Sequence, residues 1–442
     1  MVALRVLQNH VSPPLRVRGF RWRRDMSVLR QDHVVGTGVL LWIVAAVFPL
    51  LGMEDTSRLG GLFSFHRIAS FGATTYMALC VILFGKSLLR YVSKVGAKDR
   101  LMILYGVFGC CAVISGVINV SWVPVLYAIM FAFVLAFMLL FWTSAEQKRQ
   151  LVFRVGFWIL AFFLSFALVL HGLPENRWVG GIHPNHYGAV ALASVIFARL
   201  SGSRIYFIAV PLGIAATMLV SSRFALAAIF IFVFVDWFFN GRQTAVKFVS
   251  FGALAVLGVL GFALDTHKIL LGTGVSEHVF AVSSEARGIE SGFTGRAELW
   301  KEFYPQFVER PFAGYGFRLR ERYSDTHNAY LNLILEMGMV GASVLLLALA
   351  FIFFKLVMRV VSKMSLVQGW NIRRELGGAK PEAFLALLLA LAFSGFFQPQ
   401  WLSFSDVFGI LVFLMLTSYV VSDRSICRLS GLIRGRYHER AE

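Results

Sequence analysis

The chain is built from apolar runs separated by short charged stretches. The runs are about 17 to 25 residues long, the length a helix needs to cross a hydrocarbon layer. In lipid every backbone amide and carbonyl must find its partner inside the chain, so such runs fold as helices. Bounding each run by charge predicts twelve, at 34–53, 67–89, 101–119, 122–142, 152–171, 185–199, 205–220, 223–239, 247–264, 338–358, 382–398 and 404–422. Composition agrees, with 58% hydrophobic and 15% charged residues, against roughly 25% charged in ordinary soluble domains. The expected fold class is an all-α polytopic membrane protein.

Charge orients it. If the N-terminus is cytoplasmic, every inside segment is basic, and together they hold 30 of the 42 Lys and Arg. Of the other 12, eight lie in one long loop and four are Arg58, Arg67, Arg177 and Arg223. This is the positive-inside pattern, and it predicts both termini inside. The expected organisation is a basic tail (1–33), helices 1–9 (34–264), a long outer loop (265–326), helices 10–12 (327–422) and a second basic tail (423–442). The net charge of +18 therefore serves orientation and contact with anionic membrane lipids, and nucleic acid is not an expected partner. Cys80, Cys110, Cys111 and Cys427 sit in apolar runs or the basic tail and imply no disulfide framework. The arginine-rich first 30 residues do not read as a cleavable signal peptide. The runs are nearly free of charge at mid-depth, which argues against a transporter or flippase.

The unusual polar residues gather on the outer side. They are His171 to Gly188, including Glu175, Arg177, His183, Asn185 and His186; Ser221-Ser222-Arg223; Thr294-Gly295-Arg296 with Trp300, then Arg310 to Gly316; and Asp325-Thr326-His327-Asn328. Arg223 reads either as a snorkelling anchor or as a bidentate clamp for phosphate or carboxylate. Arg296 opens a helix-like stretch to Gln306 and reads as part of an anion site or as a surface partner of Glu298 or Glu302. His327 stands where a helix begins, with Asp325 or Thr326 as the expected cap. A helix N-terminus disfavours imidazolium, which suits a ring that accepts a proton from a hydroxyl.

The histidines around 171–186 match no zinc spacing, and Pro184 breaks the helical i,i+4 relation. No P-loop, nucleophile elbow or C-x-x-C pair is present. Arginines with one base, at a mouth open to lipid on the outer face, fit one reaction type well. Cations hold a lipid-linked pyrophosphate while its sugar passes to a hydroxyl, the charge on the departing group being balanced without a metal or other cofactor.

The stretch His327-Asn328, nine residues, Gly338-Met339-Val340-Gly341 resembles the signature of bacterial O-antigen ligases. Thr294-Gly295-Arg296 with Trp300, Pro311 and Gly314-Tyr315-Gly316 is similar to the rest of that family's long periplasmic loop. Pro184-Asn185-His186-Tyr187-Gly188 and Arg223 also resemble family positions. The likeness covers about residues 180–345 by motif. It implies a twelve-helix glycosyltransferase of the GT-C type in the bacterial inner membrane, with a periplasmic active site. It implies undecaprenyl-pyrophosphate-linked O-antigen as donor, lipid A–core oligosaccharide as acceptor, and metal-independent transfer with inversion. His327 would be the base, and Arg223 and Arg296 would hold the pyrophosphate. Asn185, His186 and Asn328 join them as substrate-binding candidates, with Arg318, Arg320 and Arg322, which no motif separates. Repeat-unit polymerases share the loop and arginines, and protein O-oligosaccharyltransferases share the histidine signature but carry extra C-terminal sequence.

Overall fold

A computed structural model describes residues 22–51, 65–95, 100–174, 178–179, 182–240, 296–364, 381–399, 401–404 and 406–421. They form thirteen helices: α1 (Trp22–Val47), α2 (Phe65–Val95), α3 (Arg100–Ile118), α4 (Val123–Thr143), α5 (Glu146–His171), α6 (Pro184–Leu200), α7 (Tyr206–Leu219), α8 (Arg223–Phe239), α9 (Arg296–Lys301), α10 (Phe303–Glu309), α11 (Ala329–Met364), α12 (Pro381–Gly395) and α13 (Val407–Val421). No strand occurs among the described residues beyond an isolated bridge between Val179 and Ile182. Eleven of the twelve expected runs fall on α1–α8 and α11–α13; the ninth, 247–264, lies outside the described residues. Six of the described helices are long and apolar enough to cross a membrane. The chain is a membrane protein.

The bundle is layered by burial. Apolar residues Phe71, Leu83, Trp158 and Phe162 are exposed on α2 and α5, as lipid-facing surfaces require. Helix α6 is an inner one, with every residue from Tyr187 to Arg199 buried. Small residues let its neighbours approach. A Cβ on Gly188 would stand 2.3 Å from the Ser222 hydroxyl, and one on Gly156 would stand 2.8 Å from the Phe197 ring. Arg199 on α6 donates through Nε to Asp236 on α8 at 2.6 Å, both nearly inaccessible. Aromatic rings fill the other half of the core. Trp42, Phe131, Phe404 and Phe413 pack at centroid distances of 5.4 to 5.9 Å.

Helix α11 departs from the expected span. It starts nine residues before position 338 and is broken at Gly338, whose φ of 64° and ψ of −179° are not helical. The piece from Ala329 to Met337 is therefore a half-helix of about 2.5 turns, buried on most of its surface, and the exposed apolar span begins after the break. Hydropathy placed the boundary at Gly338 because Asn328, Asn332 and Glu336 make the half-helix polar on one face. The stretch expected from Arg296 to Gln306 is likewise two short helices, α9 and α10, parted at Glu302.

Candidate functional site

The strap from Pro311 to Gly316 lies across the break in α11. Tyr315 and Gly316 donate backbone N–H bonds to the carbonyls of Leu335 and Glu336, at 2.7 and 3.0 Å, and Met339 donates to Pro311 at 2.8 Å. Glycine is required on both sides of this seam. Gly314 has a φ of 65° and Gly338 one of 64°, and a Cβ on either would fall within 2.6 Å of backbone atoms opposite. Gly338 thus serves this seam and does not pack on a neighbouring helix. Gly341, by contrast, does face α3 at Cys111.

The rest of the loop is pinned to the bundle. Phe317 is fully buried and packs edge-on to Phe108 and Tyr127 at 5.6 and 6.4 Å. The end of α3 receives the loop polar groups. Ser115 donates to the Ala313 carbonyl at 2.9 Å, Arg310 donates to the Asn119 carboxamide oxygen, and Arg322 donates to the Asn119 carbonyl at 3.1 Å.

The three arginines that sequence could not separate now differ. Arg322 is tied to α3. Arg320 donates to the Pro399 carbonyl at 2.6 Å and lies 3.8 Å from Asp325 and 3.7 Å from Glu336. Arg318 lies over the Tyr127 ring at 5.7 Å and makes no ion pair or hydrogen bond among the described residues. It lines a narrow crevice with Asn332, Glu336, Pro399, Trp401 and Leu402. Arg318 keeps some solvent contact, yet protein surrounds its guanidinium. Burial first, and then the neighbouring Arg320, push it below the usual arginine range. Both effects leave a cation that an anion would stabilise. Tyr323 donates to Glu336 at 2.7 Å, and burial followed by that carboxylate raises its hydroxyl above the usual tyrosine range.

His327 is exposed beside this crevice, with its backbone in the left-handed region at φ 51°. Asn328, not Asp325 or Thr326, caps α11: its carboxamide oxygen accepts from the amides of Tyr330 and Leu331 at 2.9 and 3.2 Å. It is 5% exposed, and that bond occupies the oxygen a substrate would otherwise meet. Asp325 instead accepts from the His327 amide at 2.8 Å. The signature spacing thus has a local cause: a projecting histidine, its neighbour as cap, then 2.5 turns to a glycine that can take the left-handed break.

The other candidates lie at the same end of the bundle. Trp300 of α9 donates to the Thr326 carbonyl at 3.1 Å, so the helix opened by Arg296 rests beside His327; the Arg296 side chain lies outside the described residues. Tyr330 packs on Trp401 at 4.9 Å, and the segment runs on to Asp406, which faces His186 Nδ1 at 3.8 Å. Ser222 abuts Gly188, placing half-buried Arg223 at the same lip. Asn185 is half-buried and gives its amide to His183 Nδ1 at 3.1 Å. Glu175 and Arg177 lie outside the described residues. Among the described residues no three His, Cys, Asp or Glu side chains gather as a metal set.

Residues 188–346 match the model of a family described as O-antigen ligase. Over that third of the chain it is similar to the O-antigen ligase family. The match begins where α6 meets α8 and ends beyond the break in α11, so it spans Arg223, Arg296, Arg318 and His327. It leaves Asn185, His186 and Asp406 outside. The activity is accordingly of the O-antigen ligase or polymerase type. No curated protein matches the chain.

Asn332, Glu336 and Asp406 were not singled out from sequence. Two signals were available. Asn328, Asn332 and Glu336 recur every fourth residue, which puts them on one face of an otherwise apolar helix. Asp406 precedes an apolar run in the N-cap position, and its carboxylate accepts from the Phe408 amide at 2.7 Å.

Proposed function

We propose that the protein is an O-antigen ligase that moves polysaccharide from undecaprenyl pyrophosphate to a sugar hydroxyl of the lipid A–core oligosaccharide. The observation that carries this reading is the exposed His327 held beside a crevice lined by Arg318, whose guanidinium makes no ion pair or hydrogen bond among the described residues. An imidazole nitrogen of His327 takes the acceptor hydroxyl proton as its oxygen attacks the anomeric carbon. The new C–O bond forms on the face opposite the departing pyrophosphate, which inverts that carbon. The old C–O bond breaks, and its electron pair leaves with the undecaprenyl pyrophosphate. Cations balance that charge without needing to reorganise. Arg318 joins Arg223 and Arg296 in that role, whereas Arg320 and Arg322 hold the loop. No metal or cofactor enters this reading.

A twelve-helix GT-C arrangement in the inner membrane, with both termini cytoplasmic and His327 periplasmic, belongs to the same proposal. It is supported by the eleven helices found on expected runs and by the basic inside segments.

The test is His327→Ala in cells. The protein should stay in the membrane while lipopolysaccharide loses its O-antigen, and ladders of normal density would overturn the assignment. Deleting the chain separates ligase from polymerase. Loss of a ligase leaves long polymer on the undecaprenyl carrier, whereas loss of a polymerase leaves core bearing one repeat unit.

A further inference from the structure

A left-handed backbone at a residue other than glycine costs energy and persists only where its surroundings enforce it. At His327 the enforcing groups are Asp325 and Asn332. The Asp325 carboxylate oxygen Oδ1 accepts two bonds of 2.8 Å, one from the His327 amide and one from Asn332 Nδ2. The Asn332 carboxamide oxygen accepts from the Thr326 amide at 3.1 Å and from its hydroxyl at 2.8 Å. One buried carboxamide, 2% exposed, therefore grips both sides of the bow that presents His327. Its orientation is unambiguous, since a carboxylate only accepts and an amide N–H only donates. Asn332 stands one turn after the cap Asn328 on the rigid half-helix, so the grip is anchored. Arg320 holds the other oxygen of Asp325 at 3.8 Å.

We propose that Asn332 and Asp325 are positioning residues for the transfer reaction. They act through the main chain, setting His327 in the one backbone conformation that aims its imidazole at the acceptor. This rests on His327 being the base. It predicts a loss in turnover rather than in donor binding, because neither bond touches substrate. A misplacement of about 1 Å at a reacting group costs on the order of 100-fold.

The experiment uses the full chain in nanodiscs, with a polyprenyl-pyrophosphate oligosaccharide as donor and O-antigen-free lipopolysaccharide as acceptor. Asp325→Ala removes the acceptor of the His327 amide and should lower kcat about 10- to 100-fold, with donor KM and thermal midpoint unchanged. Asp325→Asn keeps the amide-accepting oxygen and should return kcat to within about threefold, since it loses only the distant contact with Arg320. Asn332→Asp sets two carboxylates against each other and should match Asp325→Ala. Asn332 also lines the crevice, so a loss in Asn332→Asp with full turnover in Asp325→Ala would mean direct substrate contact and overturn the proposal. Equal losses in Asp325→Ala and Asp325→Asn, or a raised donor KM, would do the same. Should Asn332→Asp fail to fold, the half-buried Asp325 pair decides alone. Full activity in His327→Ala would instead remove the base assignment itself, a distinct result.

Discussion

Replacing Gly338 by alanine should detach the strap from α11 while leaving the bundle folded. A Cβ at Gly338 would lie 2.1 Å from the Phe312 carbonyl oxygen and 2.2 Å from its carbon. These are backbone atoms of the strap itself, so no side-chain rotation relieves the overlap. The positive φ with extended ψ adds about 1–3 kcal/mol for any residue with a Cβ. If the strap lifts, three backbone bonds are lost, each worth about 0.5–1.5 kcal/mol net. The local seam is then weakened by roughly 3–7 kcal/mol, the sum of those two contributions.

Gly341 supplies the control. It lies three residues away and has no left-handed φ. A Cβ there would meet the Met337 methyl at 2.7 Å, the Met337 Cβ at 2.8 Å and Cys111 at 3.5 Å, so it presses on α11 and α3 and not on the backbone of the strap. Amide hydrogen exchange in detergent is the assay. In Gly338→Ala the amides of Tyr315, Gly316 and Met339 should exchange about 10²- to 10⁴-fold faster, with the exchange of α6 unchanged. In Gly341→Ala they should stay within about tenfold of the parent. Equal protection of the strap in both variants would refute the seam as the reason for the glycine.

The other expectations are smaller in scope. Arg318→Lys should lower transfer at least tenfold, because a lysine cannot offer the fork that pyrophosphate takes. Arg322→Lys should cost little, since one donor suffices for the Asn119 carbonyl; transfer assays of the two variants side by side check this. Asp236→Asn should cost about 3–5 kcal/mol in stability by stranding the buried Arg199 charge, read as a lower thermal midpoint. Burial, and then Glu309, push the Tyr315 hydroxyl up from 10 to about 12. A raised acid is stabilising while protonated, so the strap should be unaffected below about pH 10 and loosen toward pH 12. Tyr315→Phe should remove that alkaline step from a pH series of strap exchange.

The membrane helices could be read from sequence because burial in lipid leaves a one-dimensional record: length and hydropathy. The half-helix Ala329–Met337 could not be read in the same way. Its surroundings are protein rather than lipid, so polar residues at 328, 332 and 336 are tolerated there and hydropathy alone starts the apolar run later. His327 was legible as a position, since a polar run meets an apolar one, but its left-handed backbone was not. That conformation is set by Asn332, five residues on, in a stretch where any polar side chain looks like a flaw in a span. The arginines were the least legible. Arg320 is held by Pro399, 79 residues away, and Arg322 by Asn119, 203 residues away. Their neighbours in the chain carry no trace of these partners, and so Arg318 could not be told apart as the one of the three that makes no ion pair or hydrogen bond among the described residues.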